Sequence, residues 1–119
     1  MIRAVAGTPE RSAGNRTGRE YHQETIVTAR RVPNLYLDTA EVAPPGVVAN
    51  LVRGAGADRV LYGSDHPMIP LGWELRKVAQ YAGLDRDEIA AVLGGNLLRL
   101  LGMERPDNSD APTVELAAI

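Results

Sequence analysis

One short stretch places two chemically active side chains directly after an apolar run. In VLYGSDHP, residues 60 to 67, the run stops at a glycine and is followed by a carboxylate and an imidazole. Asp65 is therefore a candidate for ligating a metal ion, or for acting as a general base toward a metal-bound water. Asp38 follows the apolar run NLYL in a similar way. A simpler interpretation is that each aspartate accepts hydrogen bonds from backbone amides where a strand turns. The residue types alone leave both interpretations open.

The two histidines of the chain are weaker candidates. His66 follows Asp65 directly, and neighbours on an extended chain point in opposite directions, so joint ligation of one ion is not expected. His66 could contact a substrate from the rim of the sheet, or form hydrogen bonds within its own loop. His22 falls inside a helical pattern and is predicted to be a helix-surface residue.

Strands and helices alternate along the middle of the sequence. Apolar runs bounded by turn residues predict strands over about 35–38 and 59–63. Helical spacing predicts helices before, between and after these two runs. This order is typical of a βαβ unit with a parallel sheet, in which the carboxyl ends of neighbouring strands share one rim. Asp38 and Asp65 are both predicted to face that rim.

The last predicted helix carries two local signals. Asp85 lies at its start, with Glu88 three residues later, which is the spacing of a capping box. The pair Gly94 and Gly95 predicts a break further along, because glycine is unfavourable inside a helix.

Composition limits the kind of protein this can be. The chain has 119 residues and a net charge of -2 with both signs interspersed, which gives no footprint for nucleic acid or an anionic membrane. No apolar run approaches the roughly 20 residues that a membrane span needs. The absence of cysteine excludes disulfide and thiolate chemistry. Residues 1–19 are predicted to be disordered or irregular and residues 104–119 to form a disordered tail, around an α/β unit over 20–103. A cytoplasmic location is the default expectation.

Three segments together resemble a known family. GADRVLYGSDHP (56–67) and GGNLLRLLGM (94–103) are similar to the C-terminal part of the amidohydrolase-related family. These are metal-dependent (β/α)8-barrel hydrolases and decarboxylases, similar to the aminocarboxymuconate-semialdehyde decarboxylase group. ARRVPNLYLDTA (29–40) resembles the family's helix 6 and strand 7. The resemblance implies an incomplete α/β fold, namely about strands 7 and 8 of a (β/α)8 barrel with their helices.

The resemblance also implies roles for individual residues. Asp65 corresponds to the strand-8 aspartate, which contacts a divalent metal, expected to be zinc, and handles a proton when water is activated. His66 is a weaker candidate for contacting substrate. Asn96, Arg99 and Leu100 belong to a structural C-terminal helix, so bonding and packing roles, not catalytic ones, are implied for them. The family's strand-1 His-x-His has no counterpart, and residues 1–20, where the strand-6 histidine would fall, contain no histidine. We therefore expect that this chain does not retain the metal.

The sequence thus predicts part of a metal-dependent hydrolase or decarboxylase acting on a small organic acid or amide, inactive as an isolated chain. The alternative is a non-catalytic interaction or assembly module derived from such a barrel, which would pair its exposed sheet edge with a second copy or another protein. A truncated gene model is a third interpretation. With about two strands, residues 60–62 would partly face water or another chain, so an oligomeric or marginally folded protein is expected.

Overall fold

A computed structural model of the chain describes residues 3–4, 22–40 and 44–104. Its elements, in chain order, are strand β1 (Arg3–Ala4), helix α1 (His22–Arg31), strand β2 (Leu35–Asp38), helix α2 (Pro45–Ala55) and strand β3 (Val60–Leu61). Helix α3 (Leu71–Arg76) continues as a π-helix (Lys77–Tyr81). Helix α4 (Arg86–Ala90) continues through a second π-helix (Ala91–Gly95) into helix α5 (Asn96–Leu100). Strands and helices alternate in the first part of this order, as predicted.

The three described strands form one parallel sheet in the order β1–β2–β3. In its register Leu37 lies opposite Val60, and Asp38 lies opposite Leu61. The predicted parallel pairing of β2 and β3 is confirmed, with β2 at its predicted bounds and β3 shorter than predicted. The sequence does not predict the third strand, Arg3–Ala4, which pairs with β2. The other residues of the segment predicted to be irregular lie outside the described residues, as does most of the predicted tail.

An aliphatic core lies between the sheet and the helices, in a chain that contains no phenylalanine. Val60 is 0% exposed and Leu61 is 8% exposed. The expectation that residues 60–62 partly face water is therefore wrong for these two, because the helices cover them, whereas Tyr62 is only partly buried. The buried residues of the core cluster are Ile26, Ala29, Leu35, Leu37, Val48, Leu51, Val52, Val60, Val78, Ala82 and Val92.

The outer edge of β3 is partly closed within the chain. The backbone N–H of Tyr62 donates to the carbonyl of Val92, with 3.0 Å between nitrogen and oxygen. Val92 belongs to the second π-helix, where the helical hydrogen-bond pattern is widened and a carbonyl can turn to another partner. The N–H of Tyr62, which would otherwise be open to a partner strand, is thus hydrogen-bonded within the chain. Association through a sheet edge stays a prediction.

Arg59 fastens the end of α1 to the start of β2. Its guanidinium donates to the carbonyls of Ala29 and Val32, at 3.0 and 2.8 Å, which lie at the carboxyl end of that helix. It also donates from Nε to the carbonyl of Leu35 at 3.0 Å and lies over the ring of Tyr36. Carbonyls at a helix end have no partner within the helix, so a partly buried cation here satisfies groups that would otherwise be left unpaired.

Asn96 and Arg99 bind the last helix to the start of β3. The Asn96 side-chain amide is buried and donates to the carbonyls of Ala57 and Val60, at 2.6 and 2.8 Å. Arg99 donates to the carbonyl of Asp58 at 2.8 Å. These contacts confirm the bonding roles that the family resemblance implies for both residues.

Both local signals predicted for the last helix are present in the structure. The capping box predicted at α4 is present, since Glu88 N–H donates to Asp85 Oδ1 at 2.8 Å and Asp85 N–H donates to Glu88 Oε2 at 2.9 Å. The predicted break near Gly94 is a kink within the continuous 86–100 segment. Among the described helices, none combines the length and the apolar character needed to cross a membrane. The cytoplasmic location stays a prediction.

Replacing Asn96 with alanine is expected to destabilise the fold by about 2 kcal/mol, because two carbonyls lose a buried donor. Urea denaturation followed by circular dichroism measures this change. Asn50→Ala is the matched control, since Asn50 is exposed on α2 and its loss should alter stability by no more than about 0.5 kcal/mol. Equal losses of unfolding free energy in the two variants would contradict the bonding role of Asn96.

Candidate functional site

Two carboxylates lie at the same rim of the sheet. Asp38 is the last residue of β2, and Asp65 lies in the loop that follows β3. Because β2 and β3 are parallel, both residues lie at or just beyond the carboxyl end of a strand, where α/β proteins bind their ligands. The structure thus brings together the two aspartates that the sequence analysis singles out.

Asp65 occupies a sharp turn at this rim. Its φ is 51°, in the left-handed region that non-glycine residues rarely adopt. Its carbonyl accepts from the N–H groups of Met68 and Ile69, at 2.9 and 3.2 Å. The chain is therefore not extended here, and the expectation that Asp65 and His66 point in opposite directions rests on a wrong premise. His66 is exposed, and its N–H donates to the Ser64 hydroxyl at 3.2 Å.

Asp38 forms the turn that the simpler interpretation predicts. Its Oδ1 accepts from the backbone N–H of Ala40 at 2.6 Å. The carboxyl group also lies against the backbone of Gly63, where a β-carbon would be 2.8 Å from Asp38 Cγ. A side chain at residue 63 would therefore collide with Asp38. The glycine between β3 and Asp65 lets the two rim loops approach each other closely.

Thr39 joins the two rim loops. It is completely buried, and its N–H donates to the carbonyl of Leu61 at 3.0 Å. Its hydroxyl accepts from the N–H of Gly63 at 3.2 Å. Its carbonyl accepts from the ammonium of Lys77 at 3.0 Å. Every polar group of this one residue therefore contacts a neighbouring element, so its position depends on β3, on the following loop and on the helical segment that carries Lys77.

A buried ion pair lies against this rim. Lys77 Nζ and Glu74 Oε2 are 2.5 Å apart, and the side chains are 0% and 1% exposed. The residues are three apart, which places both on one face of a helix. Sequence reasoning misses this pair, because opposite charges at that spacing are common on solvated helix surfaces.

Burial raises the pKa of the Asp38 carboxyl above its ordinary value of 3.8. The hydrogen bond from Ala40 and the positive charge of Lys77 act in the opposite direction, while the negative charge of Asp65 adds to the rise. Removing a carboxylate from water disfavours its charged form, and here that effect outweighs the favourable partners. Asp38 and Asp65 are thus electrostatically coupled.

Burial also raises the pKa of Glu74, against the hydrogen bond and charge of Lys77, and the charges of Asp65 and Asp38 raise it further. The pKa of the Tyr62 phenol is raised by burial and then by the charge of Glu74. Within the part of the chain that the structure describes, Glu74 Oε1 and the Tyr62 hydroxyl are buried without a hydrogen-bond partner. The rim therefore contains three interacting carboxylates, one compensating ammonium and two polar atoms that are not satisfied.

His22 is placed differently from its prediction. It is the first residue of α1 and is partly buried rather than a plain surface residue. Its Nδ1 is buried and has no hydrogen-bond partner in the described segments.

The described residues do not fit the divalent metal that the family resemblance implies. Across residues 22–40 and 44–104, no three histidine, cysteine, aspartate or glutamate side chains are grouped so that they could hold a metal ion. Catalytic zinc usually has three protein ligands. Asp38 and Glu74 interact instead with the ammonium of Lys77, which already compensates part of their charge.

Comparison with known protein families identifies the relationship. The family described as Amidohydrolase matches residues 6–103. The match spans most of the chain, so the chain belongs to the amidohydrolase family, as the sequence resemblance implies. No curated protein matches the sequence. The particular similarity to aminocarboxymuconate-semialdehyde decarboxylases stays a prediction.

Asp38→Asn is expected to gain stability relative to the natural chain as the pH rises. The raised pKa means that ionised Asp38 opposes folding, a cost that is absent below about pH 3.8 and complete above the raised value. Asparagine keeps an acceptor for the Ala40 N–H but carries no charge. Urea denaturation of both proteins between pH 4 and 8 measures the difference. A difference that moves against the variant with rising pH would show that the folded-state pKa of Asp38 is lowered instead.

Proposed function

We propose that this chain, as a member of the amidohydrolase family, contributes the rim carboxylate Asp65 to a metal-dependent hydrolase or decarboxylase. The observation that carries the proposal is the position of Asp65, in the loop directly after a parallel strand and beside a second carboxylate on the neighbouring strand. Amidohydrolases are typically (β/α)8 barrels, and such barrels carry their active sites at this rim. The described sheet would then correspond to the last strands of a barrel.

The substrate class we propose is a small organic acid or amide, with Asp65 as the residue that moves a proton. In amide hydrolysis, water attacks the carbonyl carbon, the C–N bond breaks, and the proton lost by water is delivered to the leaving nitrogen. In decarboxylation, the C–C bond to the carboxylate breaks, carbon dioxide leaves, and a proton is added to the remaining carbon. Hydrolysis needs a group that accepts a proton from water and donates it to nitrogen, and decarboxylation needs a group that donates a proton to carbon; a carboxyl group can do both. Asp65 therefore supports either reaction.

The remaining ligands of a metal site would come from outside the described residues. Within residues 22–40 and 44–104 no three ligand side chains are grouped to hold a metal, and a single carboxylate gives neither the geometry nor the affinity of a closed site. We therefore also propose that the isolated chain is inactive and does not retain metal.

The alternative proposal is an interaction module derived from a barrel. It gains no specific support from the sheet edge, since the N–H of Tyr62 is bonded within the chain and Val60 and Leu61 are buried. Stable association with another protein in the absence of metal would favour this alternative.

A chimeric barrel tests the catalytic proposal. The chain replaces the corresponding last strands of an active amidohydrolase, and turnover of that enzyme's substrate is measured. In a folded, active chimera Asp65→Asn is expected to lower kcat about 100-fold or more, because the proton carrier is lost. Asp87→Asn, at an exposed site in the first turn of α4, is the matched control and should leave kcat unchanged. Full activity of the Asp65→Asn chimera would contradict the proposal.

Zinc binding by the isolated 119-residue chain provides a separate check. After incubation with zinc and dialysis against a weak chelator, elemental analysis is expected to find far less than one zinc per chain, and the same amount in Asp65→Asn. Stoichiometric zinc that is lost in the variant would show that a histidine of this chain completes a site with Asp65.

A further inference from the structure

We infer that Lys77 is a positioning residue, which holds the two rim loops in place through Thr39. Its consequence for catalysis rests on the function proposed for Asp65, whereas its structural effect can be measured without any activity. Lys77 acts by fixing the backbone that presents the carboxylates, and it needs no contact with a substrate to do so.

Lys77 acts first on a single peptide unit. The carbonyl of Thr39 and the N–H of Ala40 belong to the same planar peptide group, in which they point in opposite directions. The carbonyl accepts from the Lys77 ammonium at 3.0 Å, and the N–H donates to Asp38 Oδ1 at 2.6 Å. Lys77 therefore fixes the plane that aims the N–H at Asp38. A cation on the carbonyl also polarises the peptide, which strengthens the bond that its N–H donates.

Thr39 also links this peptide to the loop that follows β3. The Thr39 hydroxyl accepts from the N–H of Gly63 at 3.2 Å, and Gly63 lies two residues before Asp65. Because Thr39 is fully buried and its carbonyl is held by Lys77, its hydroxyl is held in a defined place. One ammonium thus constrains the turn at Asp38 directly and the loop leading to Asp65 through the threonine side chain.

The presence of the buried Lys77–Glu74 ion pair needs an explanation of its own. Two buried charges contribute little net stability, since the loss of hydration offsets their attraction, and apolar residues of similar size commonly replace such a pair without loss. Glu74 holds the charged end of Lys77, while its own Oε1 has no hydrogen-bond partner in the described residues. The pair is therefore poorly explained by stability alone, and the bond that Lys77 gives to Thr39 supplies a specific use for it.

Amide hydrogen exchange in the 119-residue chain, followed by NMR, tests the inference. The double variant Glu74→Leu with Lys77→Met removes both charges and leaves no unpaired ion. It is expected to speed exchange at the Ala40 and Gly63 amides roughly tenfold, because the acceptors of both amides remain but Lys77 no longer holds the Thr39 peptide that positions them. The amide of Leu51, in the core of α2, should exchange at its natural rate. Unchanged protection at Ala40 and Gly63 in the folded variant would overturn the inference.

Substitutions at Thr39 separate the two links. Thr39→Val removes the hydroxyl and keeps the carbonyl, so exchange should quicken at Gly63 and not at Ala40. Thr39→Ser retains a hydroxyl and should restore protection at Gly63. Loss of protection at Gly63 in both variants, or in neither, would show that the hydroxyl does not transmit the constraint.

If the double variant does not fold, a measurement on the natural chain tests whether Lys77 holds the Thr39 carbonyl. The scalar coupling across the hydrogen bond from Lys77 Nζ to the Thr39 carbonyl carbon is expected to be detectable, together with slow exchange of the ammonium protons. Rapid exchange without a coupling would overturn the inference. These readouts do not depend on the chimeric barrel, so failure of catalysis there and failure of positioning here are distinguishable.

Discussion

The hydrogen bond from the Lys77 ammonium to the Thr39 carbonyl is the interaction on which the rim depends. It lies in a fully buried environment, where a charged donor binds a carbonyl more strongly than in water. Through the same peptide it orients the amide that binds Asp38, and through the threonine hydroxyl it reaches Gly63. Parallel strands bring the loops to one edge of the sheet, and this bond holds them there.

Much of the fold could be predicted from local signals. The apolar run over 35–38 and the parallel pairing of β2 with β3 follow from strand patterns separated by a helix. The capping box at Asp85 follows from residue spacing. Strand β1 could not be predicted in the same way, because its arginine and alanine form no apolar run, whereas the two residues of β3 lie within one. The burial of Val60 likewise depends on helices that pack against it from elsewhere in the sequence.

Of the candidate site, too, only some residues could be predicted from the sequence. Asp38 and Asp65 could be found because carboxylates at strand ends are visible in the sequence. Thr39, Glu74 and Lys77 could not, since their importance comes from burial and from a contact between residues 39 and 77, which are far apart in the sequence. The left-handed backbone of Asp65 also has no sequence signature, as that conformation is set by the surrounding turn. The family match confirms the class of protein, while the grouping of charges at its rim is visible only in three dimensions.

A double-mutant cycle tests most directly whether the ion pair and the Gly63 loop meet at Thr39. The cycle combines Thr39→Val with the joint change Glu74→Leu and Lys77→Met, and urea denaturation gives the free energy of unfolding of all four proteins. We expect non-additivity of about 0.5 kcal/mol or more. Once Lys77 no longer holds the Thr39 carbonyl, the hydroxyl is less well placed for Gly63, so its removal costs less. Losses that add to within about 0.3 kcal/mol, as for independent sites, would contradict this central role of Thr39.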